Sequence, residues 1–149
     1  MTLEFNRVRL KSKSGALALV ALLGSCASTA PDSSSAELTC LIPSNCVSSR
    51  EVGDLMPLKF AGTQAQALEL LQATVATFPE ATVVRADPLG LNLIFTTPVG
   101  FRDEVDFRID AKAQRINFRS RSLFGLFDFG KNRSRMREFT TRFEQLSRR

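Results

Sequence analysis

The sequence contains no histidine, no tryptophan and no tyrosine. The missing histidine excludes hydrolases of the Ser-His-Asp and Cys-His types, and it removes the commonest neutral-pH general base and zinc ligand. Twelve phenylalanines supply the aromatic bulk instead. This composition favours a packed domain that binds or scaffolds, and we predict no catalytic residue, no metal ligand and no cofactor.

Long apolar runs are also scarce, and the N-terminal one covers only residues 15–23. It is too short to span a bilayer, and it follows four basic side chains, the order typical of a secretory signal: Arg7, Arg9, Lys11 and Lys13. The run ends in Leu23-Gly24-Ser25-Cys26, which resembles the lipobox of bacterial lipoproteins. We therefore predict a signal peptide over residues 1–25 and a lipid anchor, such as palmitate, on Cys26.

The predicted export also limits the partners. The chain has a formal charge of +5, but residues 1–25 hold four bases and one acid, so removing them leaves +5 − 3 = +2. An exported protein rarely meets nucleic acid, and we exclude that partner. Ala27, which follows the lipobox cysteine, resembles the outer-membrane sorting pattern of enteric-type bacteria. We expect a protein of the cell envelope that faces the periplasm, held at the outer membrane through its N-terminal lipid.

Residues 27–38 show no hydrophobic periodicity and are rich in serine, alanine and proline. This composition is typical of a flexible tether, which with the lipidated cysteine covers residues 26–38. A chain of this length has a root-mean-square reach of about 20 Å. We expect a single domain over residues 39–149.

Hydrophobic spacing predicts two amphipathic helices in that domain. Thr63 and Gln66 form a capping-box pattern at the start of the first helix, and Pro79 ends it. The second helix is predicted over residues 132–146. Apolar residues recur at helical spacing in both: Leu68, Leu71, Val75 and Phe78, then Met136, Phe139, Phe143 and Leu146.

Strands are predicted over residues 57–60, 81–85 and 91–97, and alternating residues predict a hairpin closed by residues 111–114. One register of this hairpin places three opposite-charge pairs on one face and two rings together on the other. It pairs Asp110 with Arg115, Asp106 with Arg119, Glu104 with Arg121 and Phe107 with Phe118. The expected fold is α+β, a mostly antiparallel sheet of four to five strands under two helices, in the order β-α-β-β-β-β-α.

Cys40 and Cys46 flank five residues. In an exported protein, two nearby cysteines most often form a disulfide, and we favour that interpretation. The alternatives are a reactive thiol at Cys46 and, more weakly, a metal site, although two thiols do not complete a ligand set.

The densest polar block consists of residues 119–122, Gly125 and residues 128–133, and it has two alternative interpretations. A glycine before a polar helix start leaves backbone N–H groups free, so this block can hold a phosphate or carboxylate beside Lys131 and Arg133. In the structural interpretation, Asp128 and Asn132 are equally good helix-capping or turn residues, Asp128 ties the loop, and Arg133 pairs with a carboxylate such as Asp103. We favour the structural interpretation.

Two further clusters also have more than one interpretation. Asp103, Glu104 and Asp106 suggest acid–base or metal chemistry, but the predicted register gives two of them arginine partners, so we expect a solvated charge ladder. Residues 123–129 are apolar for a connection, and we expect them to plug the core. If they are exposed, they mark a contact with a partner or with lipid.

Four blocks of the sequence carry a family resemblance: C-L-I-P-S-N-C-V-S-S at 40–49, F-R-D-E-V-D-F at 101–107, R-S-R-S-L-F-G at 119–125 and D-F-G-K-N-R-S-R-M at 128–136. In this order they resemble the domain of unknown function 1499 family over about residues 39–146. Members are bacterial envelope or lipoprotein-like proteins, with relatives in chloroplasts, and their activity is not established. Leu123 stands where the family usually has an arginine.

The resemblance implies a set of residues that form either a ligand site or an internal network: Asn45, Ser48, Asp103, Asp106, Arg119, Ser120, Ser122, Asp128, Asn132 and Arg133. The first hypothesis is a lipid-anchored, non-enzymatic envelope module that binds a protein partner or a small anionic ligand. The second is an enzyme, or an anion- or metal-binding protein, that uses the cluster of Asp103, Asp106 and Arg119. The third is a purely structural envelope protein.

Overall fold

The computed structural model describes residues 38–149, and the predicted signal peptide, Cys26 and nearly all of the tether lie outside this range. Six strands and two helices follow a short 3-10 turn at Pro43–Asn45. The strands are β1 Cys46–Ser48, β2 Leu58–Lys59, β3 Ala81–Asp87, β4 Gly90–Thr96, β5 Arg102–Asp110 and β6 Arg115–Ser122, and the helices are α1 Gln64–Val75 and α2 Lys131–Ser147. Neither helix of this described part has the length and apolar character needed to span a membrane.

The capping box predicted at the start of α1 is confirmed. The hydroxyl of Thr63 accepts a hydrogen bond from the backbone N–H of Gln66 at 3.2 Å, and the Gln66 carboxamide accepts one from the N–H of Thr63 at 2.8 Å. Two N–H groups at the helix start are thereby satisfied. The helix ends at Val75, and Pro79 follows just before β3.

All strand pairs are antiparallel, in the spatial order β1-β6-β5-β4-β3, and β2 also pairs with β6. The β5–β6 hairpin has the register that opposite charges and facing rings predict. Its pairs include Asp110 with Arg115, Asp106 with Arg119, Glu104 with Arg121 and Phe107 with Phe118. The register shifts between Val83 and Arg85, where β3 carries a bulge against β4.

The apolar core lies between the two helices and one face of the sheet. Phe139 of α2 packs against Phe107 of β5, with ring centroids 4.6 Å apart, and stacks on Phe78 at 5.5 Å. Phe78 in turn meets the edge of Phe95 at 5.6 Å. Because side chains alternate along a strand, the neighbouring residues of β4, β5 and β6 project from the opposite face, and most of them are charged or polar.

The α+β class and both helices are confirmed. The sheet has one strand more than the four to five expected, because Cys46–Ser48 pairs with the end of β6. Three residues carry too little alternation to predict a strand, and this one is buried along its whole length.

Candidate functional site

Most of the residues implied by the family resemblance meet where β5 and β6 face the start of α2. We call this set the buried polar cluster: Asn45, Asp103, Ser120, Ser122, Asp128, Asn132 and Arg135. The hairpin register sets Asp103 opposite Ser122, so both side chains point to the helix side of the sheet.

Asn132 lies at the centre of the buried polar cluster and is fully buried. Its Oδ1 accepts hydrogen bonds from Ser120 Oγ at 2.7 Å and from Arg135 Nη1 at 2.8 Å. Its Nδ2 donates to the carbonyl of Asn45 at 3.0 Å and to Ser122 Oγ at 3.2 Å. An asparagine side chain has two donor hydrogens and two acceptor sites, so this amide is fully satisfied within the domain.

The carboxylate of Asp103 pairs with Arg135, and both side chains are almost completely buried. The guanidinium of Arg135 also lies over the ring of Phe95, 4.8 Å from its centroid. The expected pairing of Asp103 with Arg133 is therefore wrong. Arg133 is half-exposed and pairs with Asp54, because it projects from a different side of α2.

Asp128 closes the start of α2, as the structural interpretation predicts. Its carboxylate accepts hydrogen bonds from the N–H of Gly130 at 3.0 Å and from the N–H of Asn132 at 2.8 Å. These are amides that a bound phosphate or carboxylate would need. Because the Asp128 carboxylate already accepts hydrogen bonds from these amides, the geometry does not favour a ligand at this helix start.

The predicted ladder of charges lies on the opposite face of the sheet. Arg119 binds Asp106 at 2.6 Å, and Asp106 also accepts a hydrogen bond from Asn92 at 2.7 Å. Arg121 Nε donates to Glu104 at 2.7 Å. The ladder is more buried than expected, because the side chain of Arg119 is only 15% exposed and that of Asp106 only 9%. A further Arg119 hydrogen bond, of 3.4 Å, reaches the carbonyl of Thr39.

The enzyme hypothesis requires Asp103, Asp106 and Arg119 in one site, and the sheet separates them. Asp103 points to α2, whereas Asp106 and Arg119 point to the other face, since residues three apart on a strand lie on opposite sides. Residues 38–149 also hold no group of three or more histidine, cysteine or acidic side chains arranged to bind a metal ion. A joint acid–base or metal site of these residues is thus not formed.

Cys40 and Cys46 form the predicted disulfide. Their pairing leaves no free thiol at Cys46 for nucleophilic chemistry. Of the neighbouring predicted site residues, Asn45 donates from Nδ2 to the carbonyl of Gly125 at 2.6 Å, and Ser48 Oγ accepts from the N–H of Arg50 at 3.2 Å.

Residues 123–129, here called the apolar loop, do not plug the core. The exposed fractions are 77% for Phe124, 63% for Leu126, 68% for Phe127 and 100% for Phe129. The core is already filled by aromatic and aliphatic side chains from the sheet and both helices, so the loop passes outside it. The expectation of a core plug is wrong, because the side chains of the loop are exposed.

The backbone of the apolar loop is held in place although its side chains are exposed. Its carbonyls at Gly125 and Leu126 accept hydrogen bonds from the side chains of Asn45 and Ser44, at 2.6 and 2.5 Å. The N–H of Asp128 donates to the carbonyl of Ser44 at 3.2 Å. Phe124 also stacks on Phe101, with ring centroids 6.3 Å apart. The loop is therefore a fixed projection rather than a loose connection.

Arg135 and Asn92 are site residues that the sequence reasoning missed. The burial of Arg135 could have been predicted from helical spacing. Asn132, Met136 and Phe139 lie on one stripe of the helix, and Arg135 lies beside that stripe. Asn92 lies in a mostly apolar strand, so its sequence context gives no indication of a site. It donates hydrogen bonds to acids of the ladder because β4 pairs with β5.

The pKa of Asp54 is lowered by two arginines of α2. The hydrogen bond from Arg137 lowers the pKa of Asp54, and the nearby charge of Arg133 lowers it further. The contact joins the segment before β2 to α2 at an exposed position.

A groove with a volume of about 760 Å³ crosses the far end of the charged face. Its lining includes five basic side chains and two acids: Arg50, Arg85, Arg108, Lys112, Arg115, Asp87 and Asp110. Arg115 pairs with Asp110 at 3.2 Å, and Arg85 pairs with Asp87 at 3.8 Å. The groove is positive overall and none of its bases belongs to the predicted site.

A comparison with models of known protein families gives a match. The model of a family described as protein of unknown function (DUF1499) matches residues 38–143, which include the buried polar cluster, the ladder and the apolar loop. No match was found among the curated proteins or the solved structures.

Proposed function

The chain belongs to the DUF1499 family of proteins of unknown function, and from this premise we propose that it is a lipid-anchored protein of the bacterial cell envelope whose domain is a non-enzymatic interaction module. The anchor is Cys26, and the domain faces the periplasm from the outer membrane. The order of bases, apolar run and lipobox at the N-terminus supports the anchor.

The apolar loop is the observation that supports the interaction role. Most of the polar residues of the family blocks bind one another, in the buried polar cluster and in the ladder, so their chemistry is used within the domain. By contrast, five large apolar side chains of the loop are exposed on a fixed backbone. An exposed apolar surface of this kind is typical of a contact with a partner or with lipid.

Metabolic labelling tests the anchor. We expect the full-length protein, expressed in a bacterium, to incorporate labelled palmitate and a Cys26→Ser variant to lose the label. The double variant Cys40→Ser/Cys46→Ser is the matched control, since it removes the other two cysteines and should keep the label. Label retained on the Cys26→Ser protein would refute the anchor.

The positive groove supports a second candidate function, binding of a small anion. We expect inorganic phosphate to protect the protein against thermal unfolding if this function is correct, and Lys112→Gln to remove the protection. Lys59→Gln is the control, because this exposed lysine does not line the groove. Unchanged thermal stability over a millimolar range of phosphate would count against the groove as a phosphate site.

A further inference from the structure

The apolar loop has features that the stability of the domain does not require. Phe129 is fully exposed and adopts a backbone φ of 53°, in the left-handed region that phenylalanine rarely occupies. Both features disfavour a bulky aromatic residue at this position if packing and backbone conformation are its only constraints. A ligand outside the domain is the natural reason for such a residue.

We propose that the apolar loop inserts into the headgroup region of the bilayer that carries the anchor, so that the domain lies against the membrane. The proposal rests on the proposed lipid anchor at Cys26. Phenylalanine and leucine side chains are those that interfacial protein segments bury, about 5–10 Å into the boundary between headgroups and acyl chains.

The point at which the chain enters the domain supports a bilayer rather than a distant partner. The described part begins at Leu38, twelve residues after Cys26, and the composition of residues 27–38 predicts a tether with a root-mean-square reach of about 20 Å. The entering segment continues to Ser44 and Asn45, whose side chains hold the backbone of the apolar loop. An anchor at Cys26 therefore keeps this loop close to the membrane surface.

The charges beside the loop also fit a bilayer with anionic lipids. Arg102 lies at its first residue, since the carbonyl of Arg102 accepts a hydrogen bond from the N–H of Leu123 at 3.0 Å. Lys131 lies two positions after Phe129, the last residue of the loop. Both side chains are exposed, and neither pairs with a carboxylate of residues 38–149. Basic groups at this position attract anionic headgroups across the interface.

The absence of tryptophan from the chain provides a direct test. In the full-length lipidated Phe127→Trp protein, reconstituted into vesicles of phosphatidylcholine and phosphatidylglycerol, the new indole is the sole tryptophan. We expect brominated acyl chains to quench its emission at least twofold. Val84→Trp is the matched control, because Val84 is an exposed apolar residue on β3, at the opposite edge of the sheet, and should be quenched little.

A second variant tests the charges. In the Phe127→Trp background, Arg102→Gln together with Lys131→Gln should lower the quenching in vesicles that contain phosphatidylglycerol. In vesicles of phosphatidylcholine alone, these two substitutions should change little. Equal quenching before and after the substitutions in both lipids would remove the electrostatic part of the proposal.

The possible failures are distinguishable. If palmitate labels the Phe127→Trp protein and it floats with the vesicles, but its indole emission is unquenched, the loop does not enter the bilayer and the anchor stands. If the indoles of the Phe127→Trp and Val84→Trp proteins are quenched equally, the domain lies on the lipid without using this loop, and the proposal is refuted. If the protein carries no palmitate, the proposed anchor fails, and the proposed docking beside it fails with it.

Discussion

Asn132 shows how a single side chain can determine the arrangement around it. With four hydrogen bonds it joins α2 to two positions of β6 and to the backbone before β1. No other uncharged side chain of similar size has both two donors and two acceptors at this distance from the backbone. The identity of this residue is therefore explained by the internal network, with no need for a ligand.

The buried pair of Asp103 and Arg135 leads to a prediction about stability. Arg135→Met leaves the Asp103 carboxylate buried without its partner, and we expect it to lower the free energy of unfolding by about 3–5 kcal/mol. The double variant Asp103→Leu/Arg135→Met removes both charges and should recover most of that loss. Urea unfolding followed by circular dichroism measures both. A double variant that is no more stable than Arg135→Met would contradict the explanation by an unpaired buried charge.

Arg133 serves as the control for that measurement. Its ion pair with Asp54 is half-exposed and screened by water, so Arg133→Gln should lower the free energy of unfolding far less than Arg135→Met does.

Asp54 leads to a prediction about pH. Because Arg137 lowers the pKa of Asp54 in the folded state, the stabilisation from this contact is present above the pKa of the unfolded chain and is lost as the pH falls through the folded-state value. A carboxyl-carbon NMR titration should show Asp54 titrating below the usual range for aspartate. Arg137→Gln should move its pKa upward, whereas Lys59→Gln, at a site outside this contact, should not.

At the scale of elements, the hairpin of β5 and β6 could be predicted in detail. Opposite charges and facing rings specify one register, and a shift by one residue would exchange the two faces of the strand. The helices could also be predicted, because their apolar spacing and the box at Thr63 and Gln66 are local signals. Local patterns sufficed wherever the partner of an element is its neighbour in sequence.

The features that could not be predicted depend on contacts between residues that are distant in the sequence. β1 pairs with β6 across more than 70 residues and has no pattern of its own. The apolar loop reads as core because it is hydrophobic, but its exposure depends on hydrogen bonds from Ser44 and Asn45, some 80 residues earlier. The partner of Asp103 likewise depends on which of several arginines on α2 faces the sheet.

The turn between β3 and β4 leads to a third prediction. A Cβ atom at Gly90 would collide with the backbone carbonyl of Phe107 on the neighbouring strand. Gly90→Ala should therefore lower the free energy of unfolding by about 2–3 kcal/mol. Gly53→Ala is the control, because a Cβ there meets no atom within 4 Å, and it should change the value by less than about 0.5 kcal/mol. Equal effects of the two substitutions in chemical unfolding would contradict this close approach.

At the scale of the whole molecule, a set of polar side chains is buried in the domain and a set of large apolar side chains is exposed on its surface. The buried polar cluster occupies one end of the core, while aromatic side chains of the apolar loop face outward. This distribution separates the residues that stabilise the domain from those available to a partner.

A fourth prediction follows from that separation. Phe127→Ser combined with Leu126→Ser should leave the free energy of unfolding within about 0.5 kcal/mol of the original, since both side chains are largely exposed. Phe139→Ala in the core should instead cost about 3–5 kcal/mol. Thermal and urea unfolding of the three proteins provide the comparison. A large loss in the double serine variant would show that the loop is part of the core after all.

The bulge in β3 has a consequence for how copies of the protein meet. β3 is the last strand of the sheet, and a straight last strand presents a regular row of N–H and carbonyl groups onto which another chain can add. The register shift between Val83 and Arg85 interrupts that row at its middle, next to two exposed valines. A bulge at this position disfavours the addition of a strand from a second copy to this edge of the sheet.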